Sequence, residues 1–242
     1  MAQLIRFCCR RRYQSPTGRA EWLQQTCQRI AVLVGLKIEA GGLPIHQGLL
    51  VSNHLSYLDI IVLGSLHPFA FVAKSEVKSW PIIGWCARAA GTVFVRRQNR
   101  SDLTVATAAV RTRLAEGVSV MVFPEGTSSD GAQVLPFHPG VFESVAGSET
   151  VITPAWLSYQ IADGDPGQEI CYWGDMTFLP HLFRLLGHSR IVAHVRFDPP
   201  MAAKDDRKSL ARSARNQVLE LAATGRPLNS APKPIPEFVA TA

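Results

Sequence analysis

Several things are scarce in this 242-residue sequence. No uninterrupted apolar run reaches about 20 residues, the length a helix needs to cross a hydrocarbon core, so no conventional transmembrane helix is expected. Cysteine is sparse and odd in number. Cys8, Cys9, Cys27, Cys86 and Cys171 contain no CxxC pair, which argues against a disulfide framework or a zinc cluster and for a reducing, cytosol-facing setting. Aromatic residues make up 8% and lack the glycine interleaving of RNA-binding sheets, and zinc-finger, basic-zipper and helix-turn-helix signals are missing too. There is no GxSxG elbow to support a serine hydrolase. Acidic residues are rare at the start: residues 1–40 hold Arg6, Arg10, Arg11, Arg12, Arg19, Arg29 and Lys37 against only Glu21 and Glu39, although the whole chain carries just +6.

A basic segment of this kind seeks an anionic surface, lipid or nucleic acid, and the missing nucleic-acid signals favour lipid. Within it, "WLQQTCQRIAVLVGLKI" (22–38) reads as an amphipathic helix, with Trp22, Leu23, Cys27, Ile30 and Val34 on one side and Gln24, Gln25, Gln28 and Arg29 elsewhere. It carries too many amides to cross a membrane. It suits the headgroup layer, and the alternative is a helix packed on the protein's own core. The glutamines and the lack of a small-residue cleavage site argue against a signal peptide.

The apolar content of 47% is that of an ordinary core-forming chain, long enough for one substantial domain. Strand-like runs occur at 48–53, 69–74, 92–95, 118–124, 150–159 and 190–197. Helical patterns occur at 56–67, in pieces across 75–91 broken at Pro81, from Ser101 or Asp102 to Gly117, and through Leu210, Ala214, Val218 and Leu221. The alternation predicts an α/β domain with a mostly parallel or mixed central sheet flanked by helices. The organisation expected is a basic membrane-associating segment at 1–40, the main α/β domain at 41–224 and a flexible tail with four prolines at 225–242.

The stretch "VSNHLSYLDI" (51–60) places His54 and Asp59 five residues apart. Five steps along a helix turn a side chain by about 500°, so the two meet only if His54 precedes the helix. Ser56 fits the N-cap and Asp59 the third helical position of a capping box. His54 then hangs on a strand-to-helix turn, where open α/β sheets place their sites. Asp59 can fix the imidazole tautomer while the other ring nitrogen takes a hydroxyl proton. On these residues alone a second reading stands beside this one: a capping carboxylate and a turn histidine. Downstream, "GTVFVRR" (91–97) with Arg100 offers cations to a phosphate or other anionic headgroup, or forms a solvated basic face. "VFPEGTSSDG" (122–131) presents Glu125 and the backbone amides of Gly126 and Thr127 to a ligand, or is a surface turn.

Together these stretches resemble the lysophospholipid acyltransferases, in particular the 1-acylglycerol-3-phosphate acyltransferase family. "NHLSYLD", "GTVFVRR", "FPEGT" and "VITPA" (151–155) are similar to that family's four blocks and follow its order across about residues 47–160. The resemblance implies transfer of an acyl chain from acyl-CoA or acyl carrier protein to the sn-2 hydroxyl of 1-acylglycerol-3-phosphate, without metal or redox cofactor, at the cytoplasmic face of the membrane. It implies His54 as general base and Asp59 as its orienting partner. Arg97, Arg96, Glu125, Gly126, Thr127 and Pro154 are implied as substrate-binding residues, with Asn53 shaping the site. The third block departs from the usual FPEGTRS, with Ser128 where the arginine stands, and "CYWGDMTFLPHLFRLLG" (171–187) resembles lyso-ornithine lipid acyltransferases. Lyso-ornithine lipid is therefore the alternative acceptor, and a non-catalytic membrane-binding protein is a more distant reading. His181, His188 and His194 lie outside the blocks and receive no role.

Overall fold

The computed structural model describes residues 14–42, 47–80, 83–95 and 100–224, and nothing is described of the side chains of residues 100, 101 and 103. Outside lie the N-terminal arginines 6 and 10–12 with Cys8 and Cys9, Pro81, Arg96, Arg97 and the proline-rich tail.

The sheet runs β1 (Leu36–Gly41), β7 (Ile191–Phe197), β6 (Val151–Ile161), β2 (Gly48–Ser52), β5 (Ser119–Val122), β3 (Phe69–Lys74), β4 (Val93–Val95), with the short β8 (Met201–Ala202) also on β6. Pairings are parallel except where β6 meets β7 and β8, so the sheet is mixed and mostly parallel, flanked by helices as expected. All five residues of β2 are buried, which is why this central strand reads as an unbroken apolar run.

Side-chain alternation sends Leu50, Met121 and Leu157 to one face and Leu49, Val51, Val120, Val122 and Ile152 to the other. The first face is covered by α1 (Pro16–Leu33), α2 (Leu58–Leu66) and α6 (Phe178–Leu186), which contribute Ala31, Val62, Leu63 and Leu185. The second is covered by α4 (Arg100–Ala115) and α7 (Arg207–Ala223) through Ala106, Val110, Leu210, Ala214 and Val218. Two short helices, α3 (Ile83–Ala89) and α5 (Pro166–Glu169), complete the set together with 3-10 turns at Ser75–Ser79 and Pro139–Ser144.

The N-terminal segment differs from its sequence reading. The helix ends at Leu33 instead of running to residue 38, because Gly35 takes a left-handed conformation (φ +65°) that reverses the chain into β1. β1 then pairs along its full length with β7, so the boundary expected at residue 40 falls inside a strand of the sheet. α1 packs on α2: Trp22, Cys27 and Ala31 are buried, and the Gln24 and Gln28 amides donate to the Ser65 carbonyl instead of facing water. Burial raises the Cys27 thiol to about 12, leaving it an inert packing group. No described helix is long and apolar enough to cross a membrane.

The docking of α1 is tested at Gly64, where a Cβ would lie 2.9 Å from Cys27 Sγ. Gly64→Ala is expected to lower the unfolding free energy by about 1–3 kcal/mol through overpacking, against the helix propensity that favours alanine. Urea midpoints should show the loss shrinking in a Cys27→Ala background, where the crowding atom is gone.

Candidate active site

β2 and β5 are adjacent and parallel, so residues 53–57 and 123–128 leave the same edge of the sheet. β6 is parallel to β2 and continues past that edge, its pairing with β2 ending at Ala155 while the strand runs to Ile161. Three consecutive neighbours thus deliver the side chains of one site.

Asp59, wholly buried, organises it. Its Oδ2 accepts hydrogen bonds from His54 Nδ1 (2.7 Å), Leu55 N (2.7 Å) and Ser56 N (3.0 Å), and its Oδ1 from the Tyr159 hydroxyl (2.7 Å). A carboxylate without water needs this many donors, and its place in the first turn of α2 adds the favourable end of the helix dipole. Because Oδ2 is an acceptor toward two amides, the histidine nitrogen facing it carries the proton and Nε2 is left as the ring's acceptor. Burial and the charge of Asp59 hold the Tyr159 phenol far above its ordinary value, so it stays a donor.

The capping expectation is half right. Asp59 reaches back to the Ser56 N–H as a capping box requires, but the helix starts at Leu58 with Tyr57 in the cap position, and the buried Ser56 hydroxyl has no partner. His54 lies before the helix, where the spacing requires it.

The loop bearing His54 is held from every side. The Asn53 side chain donates to the Leu157 carbonyl and accepts from the Leu157 N–H, both at 2.9 Å, extending the β2–β6 ladder by one side chain. Ser129 N donates to the His54 carbonyl (3.0 Å) and Tyr172 N to that of Leu55 (2.8 Å). The imidazole stacks on Phe123 with centroids 4.1 Å apart, and its side chain is 22% exposed, so one edge reaches solvent.

Glu125 is brought to His54 but not as a free ligand. It is buried, and its oxygens accept from His54 N (3.0 Å) and Leu135 N (2.9 Å). Gly126 makes the turn with φ +75° and donates to the Phe123 carbonyl, and Thr127 stands exposed at the rim. Ser128 donates to the Tyr172 carbonyl. Pro154 is not brought to the pair. It is buried in β6 opposite Val51, and alternation puts it on the face of Ile152, away from that of Tyr159. Its missing N–H falls in the gap between the β8 and β7 pairings. Arg96 and Arg97 follow β4, whose parallel pairing aims its end at the same edge, and lie outside the described residues.

Sequence reasoning missed Tyr159 and the role of Phe123. Tyr159 shares strand parity with Leu157, but its partner is 100 residues away and no local pattern couples them. Phe123 reads as the end of a strand, and only the packed loop turns it into the shelf under the imidazole.

Burial pushes Glu125 from its ordinary 4.5 up to about 7, against two backbone N–H groups that pull it down. A carboxyl raised in this way contributes stability that is complete below its unfolded value and lost as pH rises through the folded one, here about 3 kcal/mol. Compared with Glu125→Gln at each pH, wild type should therefore lose about 3 kcal/mol of unfolding free energy between about pH 4.5 and 8, read from urea midpoints. A difference that stays constant would show the carboxyl titrating alike in folded and unfolded chains.

The acyltransferase family profile matches residues 37–158, which span β1 to most of β6 and include every residue of the pair and its loop. The chain is 38% identical over 200 residues to a lyso-ornithine lipid O-acyltransferase of Rhodobacter capsulatus, covering 79% of this chain and 72% of that one. It is 37% identical over 222 residues to the Brucella abortus protein of the same name (84% and 83%). A 1-acyl-sn-glycerol-3-phosphate acyltransferase of Neisseria meningitidis is 32% identical over 168 residues (69% and 66%). The fold is shared with the crystal structure of the LPA acyltransferase PlsC from Thermotoga maritima, at a TM-score of 0.65 and 21% identity over 91% of this chain and 87% of that one. With its sheet, its ordered motifs and its histidine–aspartate pair, this chain belongs to the acyltransferase family.

Proposed function

We propose that the protein is a lysolipid O-acyltransferase working by general-base catalysis, with lyso-ornithine lipid as acceptor ahead of 1-acylglycerol-3-phosphate. The observation that carries the chemistry is His54 Nδ1 held 2.7 Å from a buried carboxylate, in a side chain that keeps 22% of its surface exposed. In the proposed step Nε2 takes the proton of the acceptor hydroxyl as its oxygen attacks the thioester carbonyl carbon. The tetrahedral intermediate collapses with cleavage of the C–S bond. The departing thiolate of CoA or acyl carrier protein takes the proton back from the imidazolium, leaving an ester and a free thiol. Asp59 orients the ring and balances its transient charge, and Tyr159 steadies Asp59.

Glu125 acts by fixing the His54 peptide, since both its oxygens are engaged there and at Leu135. Arg97 and Arg96 are the proposed cations for the acceptor's anionic group, with Gly126 and Thr127 at the rim. Two observations favour lyso-ornithine lipid. The relatives so named match at higher identity and over more of this chain than the Neisseria protein named for the glycerophosphate acceptor. Ser128, where the resembled family places an arginine, gives its hydroxyl to the Tyr172 carbonyl and supplies no charge to a phosphate. The glycerophosphate reading rests on the arginine pair Arg96 and Arg97, which suits a phosphate headgroup.

Purified protein offered both acceptors with radiolabelled acyl-CoA and acyl carrier protein separates these readings. His54→Ala is expected to lower turnover by at least about 10², the usual worth of a general base. Tyr159→Phe removes a hydrogen bond to a charged group, about 1.5–3 kcal/mol, and should lower kcat at least about tenfold. Wild-type turnover in His54→Ala would reject the mechanism, and preference for 1-acylglycerol-3-phosphate would reject the acceptor.

A further inference from the structure

α6 is apolar on two sides. Its inner side buries His181 and Leu185, and the Phe178 ring meets Tyr57 (5.2 Å) and Trp80 (5.8 Å). Its outer side carries Leu179, Phe183 and Leu186, spaced four and three residues apart and 60%, 71% and 51% exposed. One exposed leucine is ordinary, but three large apolar side chains on one stripe, beside a partly exposed Trp80, form a patch that water does not favour.

The inner side of the same helix is tied to the chain around the site. Neutral His181, its charge disfavoured by burial, bridges the Cys171 carbonyl (3.0 Å) and the Tyr57 hydroxyl (2.9 Å), and Tyr57 caps the helix that carries Asp59. The next residue after Cys171, Tyr172, donates to Leu55, beside His54. Exposed Arg184 lies on the helix, Arg190 four residues after its end and Lys78 two residues before Trp80, against Asp175 between residues 172 and 190, Glu76 beside Lys78 and Glu169, which pairs with His188.

We propose that the outer face of α6, with Trp80 at its edge, docks the protein on an anionic lipid bilayer and sets the His54 site at the headgroup level. The geometry suits a short interfacial helix: apolar side chains dip into the acyl boundary, tryptophan sits at the interface, and arginines meet lipid phosphates. A second copy fits less well, since three side chains present a few hundred Å² where a stable protein interface buries about 1,200–2,000 Å². The benefit to catalysis rests on the lysolipid reading, because such an acceptor resides in the bilayer; the docking itself rests on the patch and its charges.

The full chain and its Leu179→Glu/Phe183→Glu variant, with matching circular dichroism, are compared by flotation with phosphatidylethanolamine vesicles with and without phosphatidylglycerol. Wild type should float with the anionic vesicles and the variant about tenfold less. Acylation of a vesicle-borne acceptor should fall in parallel, while acylation of a short-chain acceptor dissolved as monomers stays within about twofold. Equal flotation of both proteins overturns the docking. So does a wild-type dimer in light scattering that the substitutions dissolve, which would give the face to a second copy. A flotation difference without acylation of any acceptor would leave the docking supported and the lysolipid reading rejected.

Discussion

A carboxylate with no access to water is the constraint around which this domain is arranged. A wholly buried carboxyl group would be prohibitively costly without partners, and Asp59 draws donors from four places: an imidazole, two successive amides and a phenol on a distant strand. Satisfying it pulls the chain between β2 and α2 into one conformation and places the histidine. The neighbouring strands serve the same end, with β6 overrunning the sheet edge to deliver Tyr159 and β5 delivering Phe123 beneath the ring and Glu125 behind the His54 peptide.

Much of this was legible in the sequence because it is local. The central strands β2 and β5 are continuous apolar runs, His54 and Asp59 have a spacing that only a strand-to-helix turn can use, and the alternation of elements implies the mixed sheet. What stayed hidden depends on distance or competition. Ser56 has the right chemistry for a cap, but the Asp59 carboxylate, already bound to three other donors, sets the turn, and the hydroxyl is left unpartnered. Residues 36–38 continue an apolar pattern that reads as helix, and the left-handed Gly35 turns them into an edge strand instead. Glu125 looks like a ligand in an open loop, and only the packed fold shows its oxygens occupied by backbone amides.

The division between buried and open groups orders the functional reading. Asp59, Tyr159, Asn53 and Glu125 are enclosed and act on the protein itself, whereas His54, Thr127 and the rim of the loop face outward. On the proposed function, substrate choice falls to this rim, where the third motif departs from its family pattern at Ser128, and to the arginines that follow β4 in the sequence. The helices differ in the same way: α1 buries Trp22, Cys27 and Ala31 and exposes Val32 and Leu33 at its end, while α6 turns Leu179, Phe183 and Leu186 to solvent.

The central claim is that Asp59 fixes one tautomer of His54 and so frees Nε2 to act as the base. Nitrogen-15 spectra of imidazole-labelled protein, with His54 assigned by its absence in His54→Gln, read this directly. Where the ring carries one proton, that proton on Nδ1 with a bare Nε2 is the predicted result; protonation on Nε2 with a bare Nδ1 would contradict it.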